Sequence, residues 1–361
     1  MIKVVLKLPL FLIILFGAIS CSQEQSYTEV ETSPVVMDLT AVPYAKLSDY
    51  HFFEGAMRNQ EPAFGLLPYK PASELFTDYA EKSRFIWLPK DTKATYSSDS
   101  DILNLPVGAA LIKSFYYKNV HPTNSTKIIE TRVMIHQTNG WIFANYVWDD
   151  AQSEAYLQTN GSIVPVTWTA ATGQTKSVDY KIPDESKCIT CHATNGVNLP
   201  IGIKPQNLNL NYNYAEGSKN QLAKLIEFGY LENTLPAEIT SVVDYTDISK
   251  PLDLRVRSYV DINCAHCHRD GGNAEYAALR FPFHLTENPE NMGVCVGTTT
   301  PFNNVPRGFL VLPGDPSSSL VHYAMSTNNS YLMMPRVGRT IVHEEALSLV
   351  AEWINSLPAC E

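Results

Sequence analysis

The chain has 361 residues, 45% of them hydrophobic and 11% aromatic, which is enough apolar material for two or three packed units. Its formal charge of −10, from 37 acidic against 27 basic residues, argues against nucleic acid and against an anionic membrane surface as partners. A neutral or basic protein partner suits that charge better.

Residues 1–20, MIKVVLKLPLFLIILFGAIS, put Lys3 and Lys7 before an apolar run from Leu8 to Phe16 and small residues before Cys21. That is the layout of an export signal, and the run is too short for a membrane span. Its removal takes the charge to −12. Ala18-Ile19-Ser20-Cys21 resembles the lipobox of bacterial lipoproteins, which predicts lipidation at Cys21; Ala18 stands where that pattern usually has leucine, so ordinary cleavage beside Cys21 stays open. Residues 21–45 read as a polar tether. The expected location is the periplasm of a Gram-negative bacterium, at the outer membrane, with the membrane touched through the lipid anchor only.

Residues 46–180 carry strand-like runs, "GAALIKSFYY", "KIIETRVMIH", "WIFANYVW" and "IVPVTWTA", separated by Gly, Asn, Asp and Pro. Ile129, Thr131, Val133 and Ile135 alternate with Glu130, Arg132, Met134 and His136, as in a half-buried strand. An antiparallel β-domain, a sandwich or an open barrel, is the expectation. The charges in "DYAEKSRFIWLPKDT" and "YVWDDAQSEA" read as the polar outer face of that sheet, with a docking surface for a partner as the alternative. No Ser-His-Asp order, phosphate loop or solenoid repeat is visible.

The chemistry is carried by cysteine. An oxidising compartment demands that exported thiols be protected by a metal, a covalent cofactor or a disulfide. Of seven cysteines, four form two copies of one pattern, Cys188-Ile189-Thr190-Cys191-His192 and Cys264-Ala265-His266-Cys267-His268. C-x-x-C-H attaches c-type haem: the two thiols add to the porphyrin vinyl groups and the adjacent histidine reaches the iron. Two covalently bound haem c groups are therefore expected, with His192 and His268 as proximal ligands. The competing readings are zinc, held by four cysteines or by cysteine and histidine pairs, and exposed disulfides. His266 reads as a surface or hydrogen-bonding residue, and the remaining Cys295 and Cys360 as a disulfide that ties down the last helix.

"YLMMPRVGRTIVHEEALSLVAEWINSL" supplies Met334 as sixth ligand of the second haem, with Met333 as its nearest competitor, and then an amphipathic helix with Ala346, Leu347, Val350, Trp353 and Ile354 on one side. "KPLDLRVRSYVDIN" supplies the helix before the second motif. Residues 193–263 contain neither methionine nor histidine, so the first haem lacks both usual local sixth ligands. Lys204 or a tyrosine, a distant residue among His51, His121, Met134, His136, His284, His322 and His343, or a vacant position all stay open.

The chain resembles a family of exported bacterial di-haem c-type cytochromes, some found beside a parallel β-helix repeat protein. The likeness runs from about residue 70 to the end, over "FTDYAEKSRFIWLP", "GWIFANYVWDDAQSEA", "YKIPDESKCITCHA", "YVDINCAHCHRDGG", "VLPGDPSSSLVHYAMST" and "MMPRVGRTIVHEEA". It implies haem attachment at both motifs, a matching run through Met333, Met334 and His343, and electron transfer. PIGIKPQNLN departs from that family's pattern and keeps only Lys204 and Asn207 of interest.

The expected fold class is α+β multidomain: an N-terminal antiparallel β-domain (46–180), a first haem-binding segment (181–249), and an α-helical cytochrome c-like domain with the second haem (250–361). The expected function is electron transfer with a redox protein partner in the cell envelope. A di-haem peroxidase-like oxidoreductase, with the first haem open, and a haem-based redox or gas sensor subunit are the alternatives.

Overall fold

Alternating and continuous apolar runs build one antiparallel sheet. The computed structural model describes residues 32–298 and 308–361, so the export segment, Cys21 and the first part of the tether lie outside the described residues. A short pair, β1 (Phe53–Glu54) and β2 (Glu61–Pro62), precedes the main strands. These are β3 (Leu67–Pro68), β4 (Glu81–Trp87), β5 (Ala110–Val120), β6 (Ser125–Gln137), β7 (Gly140–Trp148), β8 (Ala155–Leu157), β9 (Ser162–Thr169) and β10 (Thr175–Ile182). Their order is β10-β9-β5-β6-β7-β8, with β4 joining β5 and β3.

The sheet is covered on both faces. Phe85, Ile112, Val133 and Tyr146 pack with Leu47, Tyr50 and Phe52 on one side. Ile86, Leu111 and Trp141 pack with Ile203, Leu208, Leu222 and Leu225 on the other. Two covered faces explain why "GAALI" is apolar without alternation, since both sets of side chains leave water.

Among the described residues the expected α-helical cytochrome c-like domains are absent, and sheet predominates over helix. The described residues hold six α-helices: α1 (Cys188–His192), α2 (Pro205–Leu208), α3 (Gln221–Glu227), α4 (Leu252–Asn263), α5 (Leu320–Ser326) and α6 (Glu344–Ser356). Only α4 and α6 exceed seven residues. The reason is local. Pro200, Gly202 and Pro205 come after the first motif, and Gly271, Gly272, Pro282, Pro289 and Gly293 after the second, so a helix cannot propagate from either. Both motif segments are instead turns and short helices, and Ser33–Glu361 packs as one unit.

α4 and α6 share a core of Val256, Tyr259, Val260, Ala346, Leu349, Val350, Trp353 and Ile354. Leu349 joins this core, whereas Leu347, assigned to the apolar side from sequence, is only half-buried. Cys295 and Cys360 form a disulfide across 65 residues, just beyond the end of α6. No helix among the described residues is long and apolar enough to cross a membrane.

Candidate functional site

The first C-x-x-C-H motif is the single helix α1, and the hairpin turn after it fixes its histidine. Asn195 and Gly196 both have positive φ (49° and 76°), as a type I′ hairpin turn requires. The turn pairs Ala193 with Asn198 and Thr194 with Val197. It returns Leu199 to His192, where the Leu199 amide donates to the His192 carbonyl (2.7 Å). The His192 Nδ1–H donates in turn to the Leu199 carbonyl (2.8 Å). A carbonyl can only accept, so the proton sits on Nδ1 and Nε2 keeps its lone pair. Burial, with smaller contributions from the charges of His266, Lys113 and Arg132, holds the imidazole neutral, with its pKa pushed down to about 3.

The second motif continues the last turn of α4, with the amides of Cys264 and Ala265 both donating to the Val260 carbonyl. The glycines after it are required. A Cβ on Gly271, whose φ is +71°, would lie 2.3 Å from the Asn195 side chain, and one on Gly272 would lie 2.4 Å from the Cys267 carbonyl. That close approach lets the Asn195 amide donate to the Gly271 carbonyl, which docks one motif on the other.

The consequence is a cluster that neither motif has alone. The ligand atoms of Cys191, His266 and Cys267 all lie within 4.8 Å of one another. The hydrogen bond to Cys267, added to burial, pushes the Cys191 thiol up to about 12, and the same bond lowers Cys267. Burial, with a smaller push from the Asp261 charge, raises Cys264 to about 12. His266 is thus no ordinary surface residue: its Nδ1 is buried without a hydrogen-bond partner, as is that of His268.

Two cavities open from this cluster. The first, about 1480 Å³ of empty space continuous with solvent, is lined by Cys188, Cys191 and His192 against the sheet face. The second, about 610 Å³, is lined by Cys264, Cys267, His268 and Met334. Cys191, His266, Pro335 and Val337 line both cavities and form their common wall. Burial keeps His268 neutral as well, with its pKa at about 4.

Met334 is held at its cavity by backbone. Its amide donates to the Ala324 carbonyl (2.8 Å), and Arg339, almost fully buried, donates to the carbonyls of Met334, Ala324, Thr327 and Ile341. Met333 points into the protein interior, only 8% exposed, and does not line the cavity.

Compared with protein families, curated proteins and solved structures, the chain matches none. The site is therefore interpreted from its own geometry. Of the distant residues considered as ligands at the first motif, Met134 alone lines the first cavity. His136 is stacked on Trp141 and bonded to the Leu105 carbonyl. His343 has both ring nitrogens against hydroxyls, those of Tyr259 (3.2 Å) and Tyr245 (3.4 Å), and its ring stacks on Phe76. Lys204 is paired with Asp261 (3.1 Å) and so does not serve as a ligand; Asn207 is buried with its amide unpartnered.

Asp261, on α4, also accepts from the Gln206 amide group (3.2 Å) and the Phe283 backbone N–H (3.0 Å). It thereby joins the segment after the first motif to the segments on both sides of the second. The "DYAEKSR" run is not a polar outer face either. Asp78 is 2% exposed and accepts from the Thr340 and Ile341 amides, and Arg84 is 6% exposed on the cavity side of the sheet. The sequence carried a sign of this, because Lys82 and Arg84 alternate with residues that must also be buried.

Replacing Asp261 by leucine leaves the Lys204 ammonium half-enclosed without its partner and is expected to cost about 3 kcal/mol in urea unfolding. Adding Lys204→Met should recover part of the loss, as read in a double-mutant cycle.

Burial holds the His343 pKa down to about 4 from an ordinary 6.5. Below pH 6.5 the unfolded chain takes up a proton that the folded chain refuses, so this contribution is intact above pH 6.5 and is lost as pH falls toward 4. The loss should total about 3 kcal/mol. His343→Phe, which keeps the ring stack on Phe76, should flatten the stability profile over that window in chemical denaturation.

Proposed function

We propose that the chain is an exported di-haem c-type electron-transfer protein, with haem c attached at Cys188 and Cys191 and at Cys264 and Cys267. The observation that carries this reading is the His192 clamp. A histidine meant for a metal donates one ring N–H to a carbonyl and keeps the other nitrogen free, and His192 does so beside two thiols at the mouth of an apolar-walled cavity. The likeness of the two motif segments to exported di-haem cytochromes points the same way.

When bound, each haem supplies an iron that cycles between ferric and ferrous one electron at a time. The protein's own groups do the rest. The four thiols, all free in the folded chain, supply the covalent attachments. His192 offers Nε2, and His268 offers a buried imidazole kept neutral. Met334 lines the cavity of His268 and supplies the soft sixth donor that favours reduced iron. The common wall of Cys191, His266, Pro335 and Val337 puts the two sites one layer of side chains apart, which suits a relay between a partner and a second centre. The partner is a redox protein of the cell envelope, and the lipid on Cys21 is the membrane attachment.

A zinc site built from Cys191, His266 and Cys267 is the second reading, favoured by their mutual proximity. It offers three donors where structural zinc takes four, and it leaves the His192 clamp and both cavities without a purpose.

The test is the intact mass and metal content of mature protein made with haem-maturation machinery. Two covalent haems and no zinc support the proposal; zinc without haem overturns it. Cys264→Ala with Cys267→Ala should remove one haem and leave the other. Met334→Ala should keep both haems attached, convert the second from low spin to high spin, and lower its reduction potential.

A further inference from the structure

The sheet face that walls the first cavity carries a feature that the attachment motifs do not explain. Arg84 on β4 lies directly opposite Lys113 on β5, Lys113 opposite Arg132 on β6, and Arg132 opposite Asn145 on β7. One row across four strands therefore presents three cations and an amide on a single face. The rows beside it, Ile86-Leu111-Met134-Phe143 and Lys82-Phe115-Glu130-Val147, share that face. Like charges directly opposite one another destabilise a sheet, so such a row needs something to neutralise it.

The chain supplies only part of that. Glu130 takes Arg132 in two hydrogen bonds, and Glu74 lies 3.4 Å from Arg84. Lys82 donates to the Ala80 carbonyl, and Lys113 rests over the Phe115 ring, 4.8 Å from its centroid. Asp78, the other buried carboxylate nearby, is taken up by the Thr340 and Ile341 amides. Four basic side chains, Lys82, Arg84, Lys113 and Arg132, thus face two carboxylates, and burial together with the neighbouring charges holds the Lys82 pKa down to about 7 and lowers that of Lys113. Both polar atoms of the Asn145 side chain are shut off from water with no hydrogen-bond partner. Lys113, Arg132 and Asn145 all line the cavity that holds Cys188, Cys191 and His192. Partly buried basic groups in excess, two of them lining one cavity beside an unsatisfied amide, describe a binding site for carboxylate or oxyanion.

We propose that Lys113, Arg132 and Asn145 form the carboxylate subsite of the first cavity, filled by the propionates of the haem attached at Cys188 and Cys191. This rests on the haem reading given above. A haem brings carboxylates into the cavity beside the Lys113 that has none, and it brings them by covalent attachment rather than from solution. Of the three cations in the row, Lys113 is the one without a carboxylate partner among the described residues. It is a positioning residue: it holds the macrocycle through its carboxylates and sets the charge around the iron.

The experiment is a redox titration of the purified two-haem protein and its Lys113→Met variant, with haem content read separately by intact mass. Removing a positive charge beside the propionates favours ferric iron. The first haem should therefore become harder to reduce by about tenfold in its ferric/ferrous equilibrium, about 59 mV for a one-electron couple. Lys113→Arg should restore the wild-type potential, and Lys118→Met, on the exposed end of the same strand, should not move it. If Lys113→Met does not accumulate, Asn145→Asp, which adds a negative charge at the same subsite, should lower the potential likewise.

An unmoved first-haem potential in the charge-changing variant, with haem attached, overturns the proposal. Nitrite and acetate are titrated in parallel. A wild-type spectrum unaffected by both supports the propionate assignment. Saturable binding of either anion that Lys113→Met abolishes gives the row to a free oxyanion and overturns that assignment. A mass lacking haem at Cys188 and Cys191 overturns the haem reading and this inference with it, and is told apart from the other outcomes by the mass alone.

Discussion

The arrangement of this protein depends on one buried carboxylate. Asp261 sits on α4, three residues before Cys264, and accepts hydrogen bonds from Lys204, Gln206 and the Phe283 backbone. Lys204 and Gln206 belong to the segment that leaves the first motif, and Phe283 to the segment that leaves the second. A charge buried to this degree is tolerated only when fully bonded, so the three partners are held in fixed relation to α4. Two C-x-x-C-H turns that lie 76 residues apart in sequence are thereby brought edge to edge, and the Asn195 to Gly271 contact completes the docking.

The sheet then has a second role besides carrying the core. Its outer rows on the motif side pack Ile86 and Leu111 under the segment from Ile203 to Leu225, as any covered sheet would. Its middle row runs Arg84, Lys113, Arg132, Asn145, and the last three line the first cavity. The apolar row Ile86-Leu111-Met134-Phe143 beside the charged one lowers the local dielectric and strengthens the attraction for an anion that meets it. The strands therefore form a wall of the first site rather than a separate docking module, which the β-region's position before the motifs in sequence does not suggest.

Part of the candidate site was legible in the residues. The two motifs, their histidines and the Met-Pro loop are local patterns, and local patterns survive folding. The disulfide between Cys295 and Cys360 came from elimination among seven cysteines on the expectation of an oxidising compartment. The lack of helical cytochrome c-like domains was not legible, because α4 and α6 on either side of the second C-x-x-C-H motif were extended to the residues between them, where glycine and proline prevent helix. The apposition of Cys191, His266 and Cys267 was invisible, since it depends on contacts between distant segments. So was the basic row, which exists only once four strands are in register, although Lys82 and Arg84 alternating toward a buried face gave a hint of it.

Because the two motifs share a wall, redox centres attached to them should behave as a pair. A potentiometric titration of the mature protein carrying the two proposed haems, monitored by paramagnetic resonance, tests this directly. Oxidising one haem is predicted to shift the midpoint of the other and broaden its resonance. Two haems that titrate independently, with spectra that simply add, would contradict the pairing, because cavities joined through Cys191 and His266 cannot hold centres that ignore one another.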